Sequence, residues 1–394
     1  MSPRCFSILA CSCLFANLCP AKPKNSQTVP NPEALELGRT FLRQLGTDVD
    51  LQAKSGLRLV EWLLAHHQAE KAQAVAMSLG DYRREVSLAK IAAAHAQEAK
   101  TKQAVALFKQ VEDKLGKYQL ASQSEEVAIA TVIAYLALKK PEAAEPARQI
   151  ITTENARQRL QVLELQEKAR EGKWDEATLK ALAEIDTPSK QNAADVIADT
   201  LLMVAQLCWE KKEEEAAKKW SSLAMEAIGK GGDIRQISHL RDACRLHLRH
   251  GDTEGATALF KRCVQQARSL AKLADWKSME LSRCGILAHE MGQSELATAL
   301  AFEAEASALP QQAMDQPAAF VEAAACFQAL GRDADAARCQ QKALEIARAN
   351  PNKRMGALAG FETCMTYLDL GLALPAAELS AWKKLATDLA TPAL

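Results

Sequence analysis

The sequence predicts an all-α chain of about nine repeated antiparallel helix pairs, and three observations carry that expectation. Hydrophobic residues are 48% of the 394 positions, but aromatics are only 5% and alanine and leucine dominate. Strands draw on β-branched and aromatic side chains, so this mixture favours closely packed helices. Apolar residues then recur three and four apart: Leu240, Ala243, Cys244 and Leu248 share one helical face, as do Ala256, Leu259, Phe260, Cys263 and Val264. Finally, a turn phrase recurs along the chain: "EGKWDEA" (Glu171–Ala177), "HGDTEGA" (His250–Ala256), "MGQSELA" (Met291–Ala297), "LGRDADA" (Leu330–Ala336) and "LGLALPA" (Leu370–Ala376).

Residues 1–21 differ from the rest. "MSPR" is a short basic start, "CFSILACSCLFANL" an apolar run too short to span a bilayer, and "CPA" a small-residue site before Lys22. That pattern matches a secretory signal peptide, with cleavage expected after Ala21. It predicts an exported mature protein, periplasmic or secreted, with no transmembrane segment. "ILAC" (Ile8–Cys11) raises lipid anchoring at Cys11 as an alternative, but only six residues separate Arg4 from Cys11. A cytoplasmic chain is the other alternative. Residues 22–32, "KPKNSQTVPNP", read as a flexible leader, and 33–55 as an N-terminal helix.

The repeat array covers 56–389, followed by a tail, 390–394. Aligned on the alanine of the turn phrase, the units fall at Ala74, Ala104, Ala144, Ala177, Ala216, Ala256, Ala297, Ala336 and Ala376. The later intervals are 39, 40, 41, 39 and 40 residues, a regularity unrelated helices do not produce. The glycine five residues earlier suits a left-handed helix end, where a Cβ is penalised. The Asp, Ser or Thr after it suits the cap of the next helix. The alanine lets two backbones approach. The last segment, from Leu374, is expected to cap the end of the stack.

Further residues fix a resemblance. Twelve before the alanine stands a small residue: Ala92, Cys244, Gly285, Ala324 and Cys364. Nine before it stands a large one: Tyr135, His247, Phe327 and Tyr367. Phe108, Trp220 and Phe260 follow at plus four, and Cys263, Ala304 and Ala343 at plus seven. This pattern resembles the tetratricopeptide repeat (TPR) family. Trp62, Val132 and Leu165 depart from it in the small position, and the period exceeds the family's roughly 34 residues. The resemblance implies a right-handed α-solenoid whose concave groove, lined by first helices, binds a protein or peptide. On that reading Arg241, Arg245, Glu322 and Glu362 face the groove, and Trp174, the aromatic in its turn, is a further partner-binding residue.

Chemistry-bearing patterns are sparse. Lys+Arg and Asp+Glu both number 49, so no basic excess points to nucleic acid. The phosphate-cradling, nucleophile-elbow and zinc-protease motifs are missing, so no enzyme, metal or cofactor is expected. His239, Cys244, His247 and His250 are close enough on one helix to suggest a metal-binding protein or enzyme as a rival class. Their repeat positions instead mark them as packing residues. The mature chain keeps Cys208, Cys244, Cys263, Cys284, Cys326, Cys339 and Cys364, with no C-x-x-C pair. Buried thiols are expected, with a Cys263–Cys284 disulfide as the open alternative. The partner's identity and the oligomeric state are not written in the sequence.

Overall fold

A computed structural model describes residues 31–46, 48–184, 190–229, 233–270, 274–309 and 316–390. The expected signal peptide, the leader up to residue 30 and the tail beyond Ala390 lie outside the described residues. Asn31 and Pro32, expected in the leader, instead cap and open the first helix: the Asn31 side chain accepts from the Ala34 N–H at 3.1 Å. No strand occurs among the described residues, which form an all-α helical-repeat solenoid.

After α1 (Pro32–Gln44), the helices alternate as first and second members of nine pairs. The early pairs are α2 (Val49–Ala65) and α3 (Ala69–Ala76), α4 (Arg83–Gln97) and α5 (Thr101–Glu112), then α6 (Ala121–Ala137) with a 3-10 turn (Pro141–Ala144) running into α7 (Glu145–Ile150). Next come α8 (Glu154–Arg170) and α9 (Glu176–Glu184), then α10 (Lys190–Glu210) and α11 (Glu214–Ile228). The last four pairs are α12 (Asp233–Arg249) and α13 (Thr253–Ser269), α14 (Ala274–Glu290) and α15 (Ser294–Ala308), α16 (Gln316–Ala329) and α17 (Asp333–Ala349), and α18 (Lys353–Asp369) and α19 (Ala376–Ala390). They fall into two compact units. One is Val49–His239; the other is Leu240–Leu394 together with the segment that carries α1 and ends at Asp48. The single helix expected over 33–55 is two, because Leu45 and Gly46 turn back on the final carbonyls of α1, bonding Phe41 O at 3.2 Å and Arg43 O at 3.1 Å.

Every pair is joined by the same turn. His67, Ala99, Lys139, Gly172, Lys212, Gly251, Gly292, Gly331 and Gly371 all have positive φ. At each, the next N–H reaches back five residues. Lys100 N–H bonds His95 O at 2.8 Å, Lys173 N–H bonds Lys168 O at 2.9 Å, and Arg332 N–H bonds Phe327 O at 2.9 Å. This is the Schellman arrangement, which satisfies carbonyls the helix end leaves open. Four of the nine positions hold residues with a Cβ and stay left-handed against a cost of about 1–2 kcal/mol each. The turn geometry therefore repeats more strictly than the glycine.

These turns correct the alanine register. Counted from His67 and Lys212, the packing alanines are Ala72 and Ala217, both fully buried, not Ala74 and Ala216. The small positions opposite become Val60 and Ala205 in place of Trp62 and its counterpart. In the other well-formed pairs the register holds: Ala104, Ala144, Ala256, Ala297 and Ala336 are buried. Cys244 shows the contact, its thiol donating to Ala256 O at 3.3 Å. Ala177 and Ala376, however, are exposed. After Gly172 and Gly371 the chain runs on without helix through residues 173–175 and 372–375 before the second helix begins.

The two diversions have different causes. On α8 the small position holds Leu165, too large for close approach, and α9 packs on α10 and α11 rather than along α8. On α18 the place beside the small residue Cys364 is taken by α1. Gly38, Phe41, Leu42 and Leu45 repeat the spacing of Ala256, Leu259, Phe260 and Cys263, and all four are buried. A Cβ on Gly38 would stand 3.2 Å from the Cys364 Cβ. The Asn31 amide donates to Leu372 O at 3.0 Å, so α1 runs antiparallel to α18 from the end of its turn. The N-terminal helix thus serves as second helix to the last first helix. α19, expected to cap that end, packs there together with α1, with Trp382 edge-on to Phe41 at 6.4 Å.

Candidate functional site

The first helices were expected to line an open groove, and their burial corrects this for two of the named residues. From Ala319 to Phe327 every residue of α16 is buried, and Ala194 to Gln206 of α10 likewise. In the second unit, charged side chains caught in this layer pair across consecutive first helices. Arg241 of α12 bonds Glu280 of α14, with both side chains buried. Glu280 lies 3.7 Å from Arg283, which binds Glu322 of α16 at 2.5 Å through Nη2 and 3.2 Å through Nε. The result is an alternating Arg–Glu–Arg–Glu row through three repeats. Arg241 and Glu322 therefore hold helices together and present no surface. Burial, followed by the neighbouring Arg283 charge, lowers the Arg241 pKa.

Arg245 and Glu362 are placed differently. Arg245 is partly exposed and makes a bidentate pair with Glu290 at 3.0 and 3.1 Å. Glu362, half-buried on α18, stands nine residues before its turn glycine, the register Arg283 and Glu322 occupy in their own repeats. The structure thus does not gather the four groove residues into one surface. The histidines are also engaged separately: His239 with Asp199 at 3.0 Å, and His247 through Nδ1 with Asp252 at 2.7 Å. Asp252 also caps α13 by accepting from the Gly255 N–H at 3.1 Å. No group of three or more metal-ligating side chains is arranged to hold an ion among the described residues.

Trp174 sits in the first diverted turn, half-buried, with the Lys211 ammonium 4.7 Å from its ring centre. A cation over an indole face steadies the ring while leaving its edge available. On α8, Leu165, at the position that meets the second helix in other pairs, is only half-buried, and α9 packs on α10 and α11 instead. Asp175 sets the displaced α9, accepting from the Thr178 N–H at 2.7 Å and from its hydroxyl at 2.8 Å. This combination, an unpaired first helix with an anchored tryptophan at its end, is the best candidate surface of the first unit. Leu165 in a small position was its legible signal; Lys211 had none, being remote in sequence. In the second unit a cleft of about 670 Å³ lies between α1 and α19, lined by Leu37, Thr40 and Ala386, with Glu33, Glu36 and Lys383 at its rim.

No protein-family profile matches the chain, and no curated protein matches it. One similar solved structure is a circular tandem repeat protein described as having a novel repeat topology and enhanced subunit contact surfaces. It is 13% identical, with 92% of this chain and 96% of that one covered, at a TM-score of 0.26. So loose a superposition bears on neither topology nor function. No helix among the described residues is long and apolar enough to cross a membrane.

Proposed function

We propose that the protein is a non-enzymatic, exported scaffold of TPR-like helical hairpins that binds a protein or peptide partner, engaged at the uncovered face of α8 and Trp174. The observation that carries this reading is the missing second helix on α8. Every well-formed pair buries the first helix against a close-packed neighbour, and here Leu165 and Trp174 stay partly exposed. A helical or extended segment of apolar character fits such a face, with the indole as anchor. The buried Arg241–Glu280 and Arg283–Glu322 pairs support a structural role, since each joins two first helices. Export rests on the sequence pattern of residues 1–21, and TPR-like character on the small and large positions around each turn.

The test compares wild-type protein with Trp174→Ala and Leu165→Asp as bait under crosslinking. A partner retained by the wild type and lost with both variants, while Arg338→Ala on α17 keeps it, supports the reading. Equal capture by all four proteins, or none by any, refutes it.

A further inference from the structure

We propose that Cys263 and Cys284 form a built disulfide site, in which a small-molecule disulfide oxidises the pair to a covalent staple between α13 and α14. The two residues belong to consecutive repeats. Cys263 lies seven residues after the packing Ala256, and Cys284 immediately precedes the small-position Gly285. Their sulfurs are 3.4 Å apart and both side chains are fully buried. A disulfide requires about 2.05 Å, so the sulfurs need close by only about 1.4 Å, within reach of side-chain rotation. The surroundings favour the first step. The hydrogen bond from Cys284 and then the Arg241 charge lower the Cys263 pKa against the effect of burial, while Cys284, as donor, is raised.

The exchange balances without any bound redox group. The Cys263 thiolate attacks one sulfur of the small disulfide RSSR, and RS⁻ leaves and takes up the proton Cys263 lost. Cys284 then loses its proton and attacks the Cys263 sulfur of the mixed disulfide, expelling the second thiolate as RSH. Two cysteine sulfurs give up two electrons, and RSSR accepts them to become two RSH. The new bond spans a junction between repeats, where a stack is otherwise held by neighbour contacts alone. Since neither thiol is exposed, exchange proceeds during folding or on local opening of α13 from α14.

The full chain is refolded in a glutathione buffer rich in the oxidised form, alkylated, digested and mapped, with a dithiothreitol-treated sample beside it. The expected result is one cross-linked peptide joining Cys263 to Cys284, kept in Cys339→Ser and lost in Cys263→Ala and Cys284→Ala. Oxidation should raise the wild-type Tm by several degrees, reversibly with reductant, and leave both alanine variants unmoved. Complete alkylation of Cys263 and Cys284 after oxidative refolding overturns the proposal, as does pairing of either with another cysteine or a lowered Tm on cross-linking. Mapping of the wild type decides the matter even if an alanine variant fails to fold.

Discussion

The Phe41 ring of α1 fills the space that a Cβ on Gly360 of α18 would occupy. Only a residue without a side chain lets the N-terminal helix close on α18 at that point. Gly360→Ala should therefore force the ring out and cost about 1–3 kcal/mol, as overpacking does. Phe41→Ala should cost about 3–5 kcal/mol by leaving a cavity. The double variant should lose less than the two added together, measured by denaturant unfolding. Strict additivity would mean the residues do not meet.

Ala99 carries a left-handed backbone with φ of 61° at the end of α4. Removing its Cβ relieves strain without touching a packed side chain. Ala99→Gly should stabilise the chain by up to about 1 kcal/mol after the extra entropy of an unfolded glycine is deducted. The midpoint of urea unfolding reads this directly, and a fall in midpoint contradicts the turn geometry.

Leu165 and Ala324 occupy the same repeat position with opposite consequences. Ala324 is fully buried where α17 closes on α16, so Ala324→Leu should destabilise by about 1–3 kcal/mol. Leu165→Ala removes a half-buried side chain that α9 does not pack along and should cost less, about 1 kcal/mol. Thermal unfolding of the two variants in parallel separates these expectations.

The buried Arg241–Glu280 pair is a hydrogen-bonded charge pair with little solvent on either side. Arg241→Met leaves Glu280 buried with a weakened partner set and should cost about 3–5 kcal/mol. Replacing both by apolar residues of similar volume should recover most of that loss. Failure of the double replacement to recover stability would show that packing, not charge, dominates the site.

Glu125 of α6 gives the fold an acid-sensitive joint. Burial pushes its pKa up, but bonds from the N–H and hydroxyl of Thr153 and then of Thr152 outweigh burial and hold it below the ordinary value. Two of these bonds run at 2.7 and 2.8 Å from Thr153, the N-cap of α8. A depressed carboxylate stabilises the fold above its unfolded pKa of about 4.3, and that contribution is lost as pH falls through the lower folded value. Glu125→Gln should be less stable near neutral pH and show a shallower decline below about pH 4.5. Parallel curves for the two proteins would remove Glu125 from the acid response.

Much of the architecture was legible because the helix-pair turn repeats. Seven of the nine left-handed positions fall where the turn phrase placed them, from Ala99 to Gly371. His67 and Lys212 were misplaced because nearby alanines, Ala74 and Ala216, offered a false register that no glycine was there to correct. The diversions at Ala177 and Ala376 depend on what fills the place beside α8 and α18, which no local pattern records. Arg241 and Glu322 read as groove residues for a related reason. A charged side chain on a first helix looks solvent-facing until the opposite charge, one repeat away, is seen to meet it. Gly38, Phe41, Leu42 and Leu45 did carry the second-helix spacing, but they stand before the first recognisable repeat and so had no partner to suggest them.

The bond between Asn31 and Leu372 joins residues 341 apart in sequence. A stack of repeats can begin to order anywhere and grow by neighbours, yet α18 acquires its antiparallel partner only when both ends of the chain are present. Closing so long a loop costs on the order of 5 kcal/mol in chain entropy, so the α1 seat should be the last to fill during synthesis and the first to empty under stress. A ribosome-bound chain lacking residues beyond about 350 would leave Phe41 and Leu42 without a core. The time taken to translate the final helices then sets how long that apolar face stays uncovered.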